Sequence, residues 1–307
     1  MRKNFILWLL CLSTCLISGC SSKMVMFISA NINPLPSHTL RLSDGYVATY
    51  YSIQKGNPDI TDTLLFFVGG SGHVSHNYYL ESYFSQLQGN IRIYALQKPH
   101  VGHRETGVFE ASEAFDRSNY YAQLVKDQAE FIRSILNRDR SVEKRVVVFG
   151  VSEGGNIAAQ LAAEIQQVTH LVTLGSGGMV GIDEFRLWGK AHNIDFDRLY
   201  QEVKKHPDSI THRALGQTYK YWASMLPVDP MQSLQKLTIP ILAAIGAKDE
   251  MTPPASVNYL RDEFDRLGKK NLTLKIFPDW NHVLDDSTGI NHRAELLQLV
   301  SRWWEET

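Results

Sequence analysis

The sequence predicts an α/β domain: a mainly parallel central sheet with helices on both faces and a helical insertion late in the chain. Three observations carry that expectation. Short apolar runs alternate with longer segments of helical periodicity from Thr63 to the C-terminus. The run Thr63-Leu-Leu-Phe-Phe-Val68 is continuously apolar, as in a strand buried on both faces. The pentapeptide Gly150-Val-Ser152-Glu-Gly154 joins the apolar run Arg145–Phe149 to a helical segment opening at Gly155, which gives a strand, a sharp turn and a helix.

The first residues read as a leader. Arg2 and Lys3 form a basic start, and Phe5–Ile17 is apolar but short for a membrane-spanning helix. The stretch closes on Ile17-Ser18-Gly19-Cys20, so residues 1–19 are expected to be a signal peptide. That ending resembles the lipobox of bacterial lipoproteins. The resemblance implies cleavage before Cys20, acylation of its sulfur and N-terminus, and attachment of the chain to the bacterial cell envelope. Ser21 stands where an inner-membrane retention signal has Asp, which favours the outer membrane. An ordinary cleaved signal or an uncleaved anchor is the alternative. Residues 20–37, with Asn31-Ile-Asn-Pro-Leu-Pro36, read as a tether, and 38–307 as the folded domain.

All three cysteines, Cys11, Cys15 and Cys20, fall in or beside the leader. The folded domain is therefore expected to rest on its core without a disulfide, and its length suffices for one. The 307-residue chain carries a formal net charge of −1, so no overall field recruits nucleic acid.

Thr39–Ile53 holds two strand-like runs around Ser43-Asp44-Gly45 and reads as a hairpin. Strand Thr63–Val68 follows, then a helix over Tyr78–Leu87 and a strand over Ile91–Ala95. Tyr121, Leu124, Val125, Ile132, Ile135 and Leu136 recur at helical spacing within Asn119–Arg138. After the Gly-x-Ser-x-Gly turn and its helix come strands at Val168–Leu174, Ile239–Ile245 and Leu272–Phe277, with helices at Ala255–Leu267 and His292–Trp304. Over residues 179–236 the alternation stops. That stretch is helical in character and rich in Trp, Tyr and His, among them Trp188, His192, Tyr200 and Trp222, and reads as a lid or cap.

The turn at Ser152 has the form of a nucleophile elbow, in which glycines leave room for a tight backbone. A serine hydroxyl needs a base within reach, and the base needs an orienting acid. Asp249 follows strand Ile239–Ile245 and His282 follows strand Leu272–Phe277, so the order Ser, Asp, His runs along strand ends on one edge. Glu250, beside Asp249, and Asp279, near His282, are alternative acids. In these features the chain, over about residues 40–305, resembles an α/β-hydrolase fold protein. The resemblance implies Ser152 as nucleophile, His282 as general base then acid, and Asp249 as its orienter.

Charge on the attacked oxygen calls for backbone N–H donors. One expected donor is the residue after the nucleophile, Glu153. The other lies in Gly69-Gly70-Ser71-Gly72, where Ser71 is favoured and Gly70 is next. No catalytic role is read into the Glu153 side chain, whose place in the first helical turn suits the helix dipole. In the basic segment Gln97–Arg104, the residues His100, His103 and Arg104 could receive a substrate carboxylate or phosphate, although a solvated loop is the plainer reading. No cofactor is implied. His73 and His76 lack the spacing of a zinc site and no His-Glu-x-x-His pattern is present, so no metal is expected.

The first functional expectation is a serine hydrolase that cleaves a carboxylic ester or thioester through an acyl-enzyme, with a small-molecule or short acyl or peptidyl substrate. The second is a serine peptidase or aminopeptidase on the same scaffold. The run Gly-x-Ser-Glu-Gly-Gly resembles the elbow of some prolyl-oligopeptidase-like and dienelactone-hydrolase-like proteins. No propeller and no acidic pair for a free amine is legible, which ranks this second. A non-catalytic envelope lipoprotein is third, and the intact Ser, Asp, His set argues against it. The sequence does not specify the oligomeric state.

Overall fold

The computed structural model describes residues 31–138 and 145–307; the expected signal peptide and Cys20 lie outside them. Strands β1 (Ser37–Arg41), β2 (Val47–Lys55), β3 (Thr63–Val68), β4 (Ile91–Leu96), β5 (Arg145–Val151) and β6 (His170–Leu174) are followed by the two-residue strands β7 (Arg213–Ala214) and β8 (Gln217–Thr218), then β9 (Ile241–Gly246) and β10 (Leu272–Phe277). Eight of them form one sheet in the order β1-β2-β4-β3-β5-β6-β9-β10. The β1–β2 hairpin is antiparallel and β2 runs antiparallel to β4, while β4, β3, β5, β6, β9 and β10 are mutually parallel. The expected mainly parallel α/β fold is therefore the observed one.

The strand pleat sorts the core into two layers. Leu64, Phe66 and Val148 point to one face, where they meet α3 (Tyr121–Arg138), α4 (Glu153–Glu164) and α9 (Pro254–Arg266). Leu65, Phe67, Val147 and Phe149 point to the other, against α1 (Leu80–Tyr83) and α10 (Arg293–Glu306). Every residue of β3 is buried. With helices on both sides each central-strand side chain finds a partner, and each fully buried Leu or Phe contributes about 1.5–3 kcal/mol.

The helix expected over Tyr78–Leu87 is mostly not one. A 3-10 turn at His76–Tyr78 and the single turn α1 replace it. Leu80, Phe84 and Leu87 do have helical spacing and are buried. Beyond α1 the backbone closes i to i+3 bonds, Ser85 N–H to Ser82 and Leu87 N–H to Phe84. Tyr83 and Phe84 crowd around Phe67, so tertiary packing overrides the local period. A short helix that was not expected, α2 (Glu113–Ser118), is capped by the Ser112 hydroxyl at Phe115 N–H.

The last residues of the expected tether are docked. Leu35 N–H donates to Asn77 Oδ1 at 2.7 Å, and β1 begins at Ser37. Between β6 and β9 lie α5 (Gly181–His192), α6 (Phe196–Lys205), the β7–β8 ribbon, α7 (Tyr219–Met225) and α8 (Met231–Leu234). Phe196, Val203, Tyr221, Trp222, Met225 and Leu226 pack on one another as a separate core. Met231 and Leu234 of α8 instead join the sheet's own core.

Candidate active site

Ser152 sits between β5 and α4 with φ 54° and ψ −125°. A non-glycine residue rarely adopts such a backbone, and such strain clusters at functional sites. The turn admits no side chain before it: a Cβ on Gly150 would fall 2.2 Å from Gly154 O. Ser152 N–H donates to Leu174 O at 2.8 Å and the Ser176 hydroxyl donates to Ser152 O, so the end of β6 fixes the elbow from the side.

Asp249 lies in the loop after β9, almost fully buried. Its Oδ1 accepts the N–H groups of Met251 and Thr252 at 2.9 and 2.8 Å. His282 Nδ1 lies 2.9 Å from both carboxylate oxygens. The imidazole rests against Gly175, the residue after β6, where a Cβ would meet His282 Cε1 at 3.1 Å and Asp249 Oδ2 at 3.4 Å. Gly175 has φ +59°, which a side chain would also strain. Asp249, His282 and Ser152 thus gather at the C-terminal ends of β5, β6, β9 and β10. Among the described residues neither Ser152 Oγ nor His282 Nε2 has a hydrogen-bond partner in the protein.

The alternative acids are occupied elsewhere. Glu250 accepts the backbone N–H of His282 at 3.3 Å, not its ring. Asp279 is bound by Lys248 and by the Ser287 hydroxyl at the surface. Beside Ser152 the loop after β3 brings Gly70 so close that a Cβ there would lie 3.3 Å from Ser152 Cβ. The N–H groups of Gly70, Ser71 and Glu153 have no acceptor among the described residues.

The Glu153 side chain, given no role from sequence, is the centre of a buried polar cluster. Lys98 Nζ lies 2.6 Å from its Oε1, and the Tyr221 hydroxyl donates to its Oε2 at 2.6 Å. Their side chains are 11% exposed for Lys98 and 3% for Glu153, so both charges depend on each other rather than on water. Burial, then the Glu153 charge, holds the Tyr221 phenol well above its ordinary pKa. The cluster joins the loop after β4, the elbow and α7. The spacing from Lys98 to Tyr221 gave no sequence signal for it.

Within the basic segment, His100 is exposed and His103 half-buried, and both are held by tyrosines. The His100 ring packs on Tyr46, and His103 Nδ1 is 2.9 Å from the Tyr51 hydroxyl. Lys98, not the two histidines, reaches the elbow. Glu184 of α5 was also not singled out. Burial beside Asp249 and His282, only partly offset by a bond from Ser256, pushes its carboxyl up to about 7. Among the described residues no cluster of His, Cys, Asp or Glu is arranged to hold a metal.

The sheet, its covering helices and the elbow at the strand ends define the class: an α/β-hydrolase of the serine hydrolase type. The chain belongs to the prolyl oligopeptidase family, whose model matches residues 107–307. No curated protein matches it. Among solved structures it is similar to the acylaminoacyl peptidase of Pyrococcus horikoshii, at 13% identity and TM-score 0.59, covering 91% of this chain and 42% of that one. The chain therefore spans less than half the length of that peptidase. It is also similar to the esterase Pf2001 of Pyrococcus furiosus, at 13% identity and TM-score 0.58 over 89% and 90% of the two chains. A bacterial membrane phospholipase A shares 18% identity and TM-score 0.58, over 99% and 98%. At these identities the likeness is one of fold.

Proposed function

We propose that this serine hydrolase cleaves carboxylic esters or thioesters through an acyl-enzyme on Ser152. The observation that carries the reading is the Asp249–His282 pair, packed on Gly175 beside the strained elbow. His282 Nε2 takes the hydroxyl proton as Ser152 Oγ attacks the carbonyl carbon. Asp249 holds Nδ1–H, which fixes the tautomer that leaves Nε2 free to accept. The N–H groups of Ser71 and Glu153, with Gly70 beside them, receive the oxyanion. Collapse expels the alcohol or thiol, protonated by His282, and water repeats the cycle to release the acid. The Ser–His bond in such sites tightens when substrate binds, which accommodates its absence in the free protein.

Peptide bonds are the second reading, supported by membership of the prolyl oligopeptidase family and the fold shared with the acylaminoacyl peptidase. Attachment to the outer membrane through an acylated Cys20 is also proposed, on the strength of the leader sequence. Among the described residues no helix is long and apolar enough to cross a membrane.

The test is fluorophosphonate labelling of wild type beside Ser152→Ala, followed by turnover of ester, thioester and aminoacyl-amide substrates. Labelling of wild type alone with faster ester turnover supports the reading. Higher kcat/KM on amides moves it to the peptidase, and no labelling of folded wild type removes the catalytic reading.

A further inference from the structure

A cavity of about 440 Å³ lies behind the glycine loop. Gly70 and Ser71, which also flank the nucleophile, form part of its wall. Ser152 is not part of the wall but stands directly against it, since a Cβ on Gly70 would lie 3.3 Å from Ser152 Cβ. The cavity therefore begins at the glycine loop that flanks the nucleophile.

What this cavity presents to a ligand is more apolar than polar. Val68, Val74, Leu96, Val108, Leu124 and Ile157 line it. Most of its polar groups are spent on the protein. Gln97 accepts from His76 N–H at 2.8 Å and donates to Val74 O at 3.3 Å. His76 uses one ring nitrogen on the Tyr79 hydroxyl and the other on Leu96 O. Ser71, Thr106 and Gln128 in the wall are uncharged. The only permanently charged lining residue is Lys98, and its charge is paired with Glu153. His76 is neutral at ordinary pH, because burial pushes its imidazole down to about 4. A charged ligand would lose its hydration here without gaining a counter-charge.

Resting on the hydrolase reading above, the geometry points to this cavity as the site for an uncharged, medium-length acyl chain of the scissile ester. An acetyl group would leave most of it empty. At about 30 Å³ per water-sized group, it holds a chain on the order of ten carbons. Each methylene buried there contributes about 0.8 kcal/mol, equivalent to about fourfold in kcat/KM.

The experiment is a series of p-nitrophenyl esters from acetyl to decanoyl, run on the purified full-length protein. The expected profile rises with chain length, by up to about fourfold per methylene, to a maximum near octanoyl or decanoyl. Val74→Trp fills the cavity and lowers the octanoyl-to-acetyl ratio of kcat/KM at least tenfold. Val108→Trp, at an exposed position where folding is not at stake, moves the ratio in the same direction. With Ser152 still labelled by fluorophosphonate, a flat profile or a ratio unmoved by both variants overturns the acyl site and leaves the hydrolase standing. A preference for aminoacyl substrates with a free amine over octanoyl overturns it as well. Failure of Ser152 to label instead marks failure of the hydrolase reading.

Discussion

Replacing Lys98 with Met keeps most of the side-chain volume and deletes one charge. Glu153 is left as a carboxylate with 3% of its side chain exposed. Its remaining support is the 2.6 Å bond from Tyr221 and its place at the start of α4. Breaking a buried pair by removing one partner costs about 3–5 kcal/mol, because the surviving charge is neither hydrated nor compensated. The Tyr221 bond persists in the variant, so the lower figure, about 3 kcal/mol, is expected. At about 2–4 °C per kcal/mol for a domain of this size, Tm falls by roughly 6–12 °C. Lys98→Met/Glu153→Gln removes both charges and keeps an acceptor for Tyr221. It should recover about 2 kcal/mol relative to the sum of the single variants. Urea unfolding followed by tryptophan fluorescence measures all three variants. Turnover is the second readout. The Glu153 N–H remains in place but is less firmly held, so kcat should fall by less than the factor of about 10²–10³ that loss of an oxyanion donor costs. A Lys98→Met variant within 0.5 kcal/mol of wild type, or single variants whose effects add without coupling, refutes this reasoning.

Asp249→Asn should lower kcat by about 10⁴, as expected when the base is held in the wrong tautomer, while Asp279→Asn changes it only a few-fold; the reverse ranking would move the acid. Burial raises the Glu184 carboxyl from 4.5 to about 7 and the Asp127 carboxyl from 3.8 to about 6. The folded state then holds more protons than the unfolded one, so this stabilisation is complete below the ordinary carboxyl range and is lost as pH rises through 6 to 7. Glu184→Gln should flatten part of that decline, read as urea midpoints at pH 5 and pH 8; an unchanged slope refutes the assignment. Cys20→Ala should shift the protein from the membrane to the soluble fraction, and persistent membrane association argues against the acyl anchor.

Features with a local signature were legible in the sequence. The elbow needs glycines and a strand–turn–helix pattern, and both are written within ten residues of Ser152. β3 was legible because its apolar run ends where the strand ends. The helix over Tyr78–Leu87 was misread because Leu80, Phe84 and Leu87 have helical spacing, whereas aromatic packing on Phe67 shaped the backbone. The Lys98–Glu153–Tyr221 cluster left no trace because its members are 55 and 68 residues apart, and only the fold brings them together. Glu184 was likewise one acidic residue on an amphipathic helix until α5 placed it beside Asp249 and His282.

The separate packing of Phe196, Val203, Trp222, Met225 and Leu226 has a consequence for how the molecule opens. A segment that buries its apolar side chains largely against itself, with Tyr121 of α3 packed on it, can open before the central sheet unfolds. Its amides can then exchange with solvent by sub-global opening, at a free energy well below that of global unfolding. Because Tyr221 is bonded to the residue after Ser152, each such opening removes one ligand from Glu153. The opening equilibrium of residues 181–226 is therefore thermodynamically linked to the order of the elbow. A molecule that binds the closed form should slow exchange in both places.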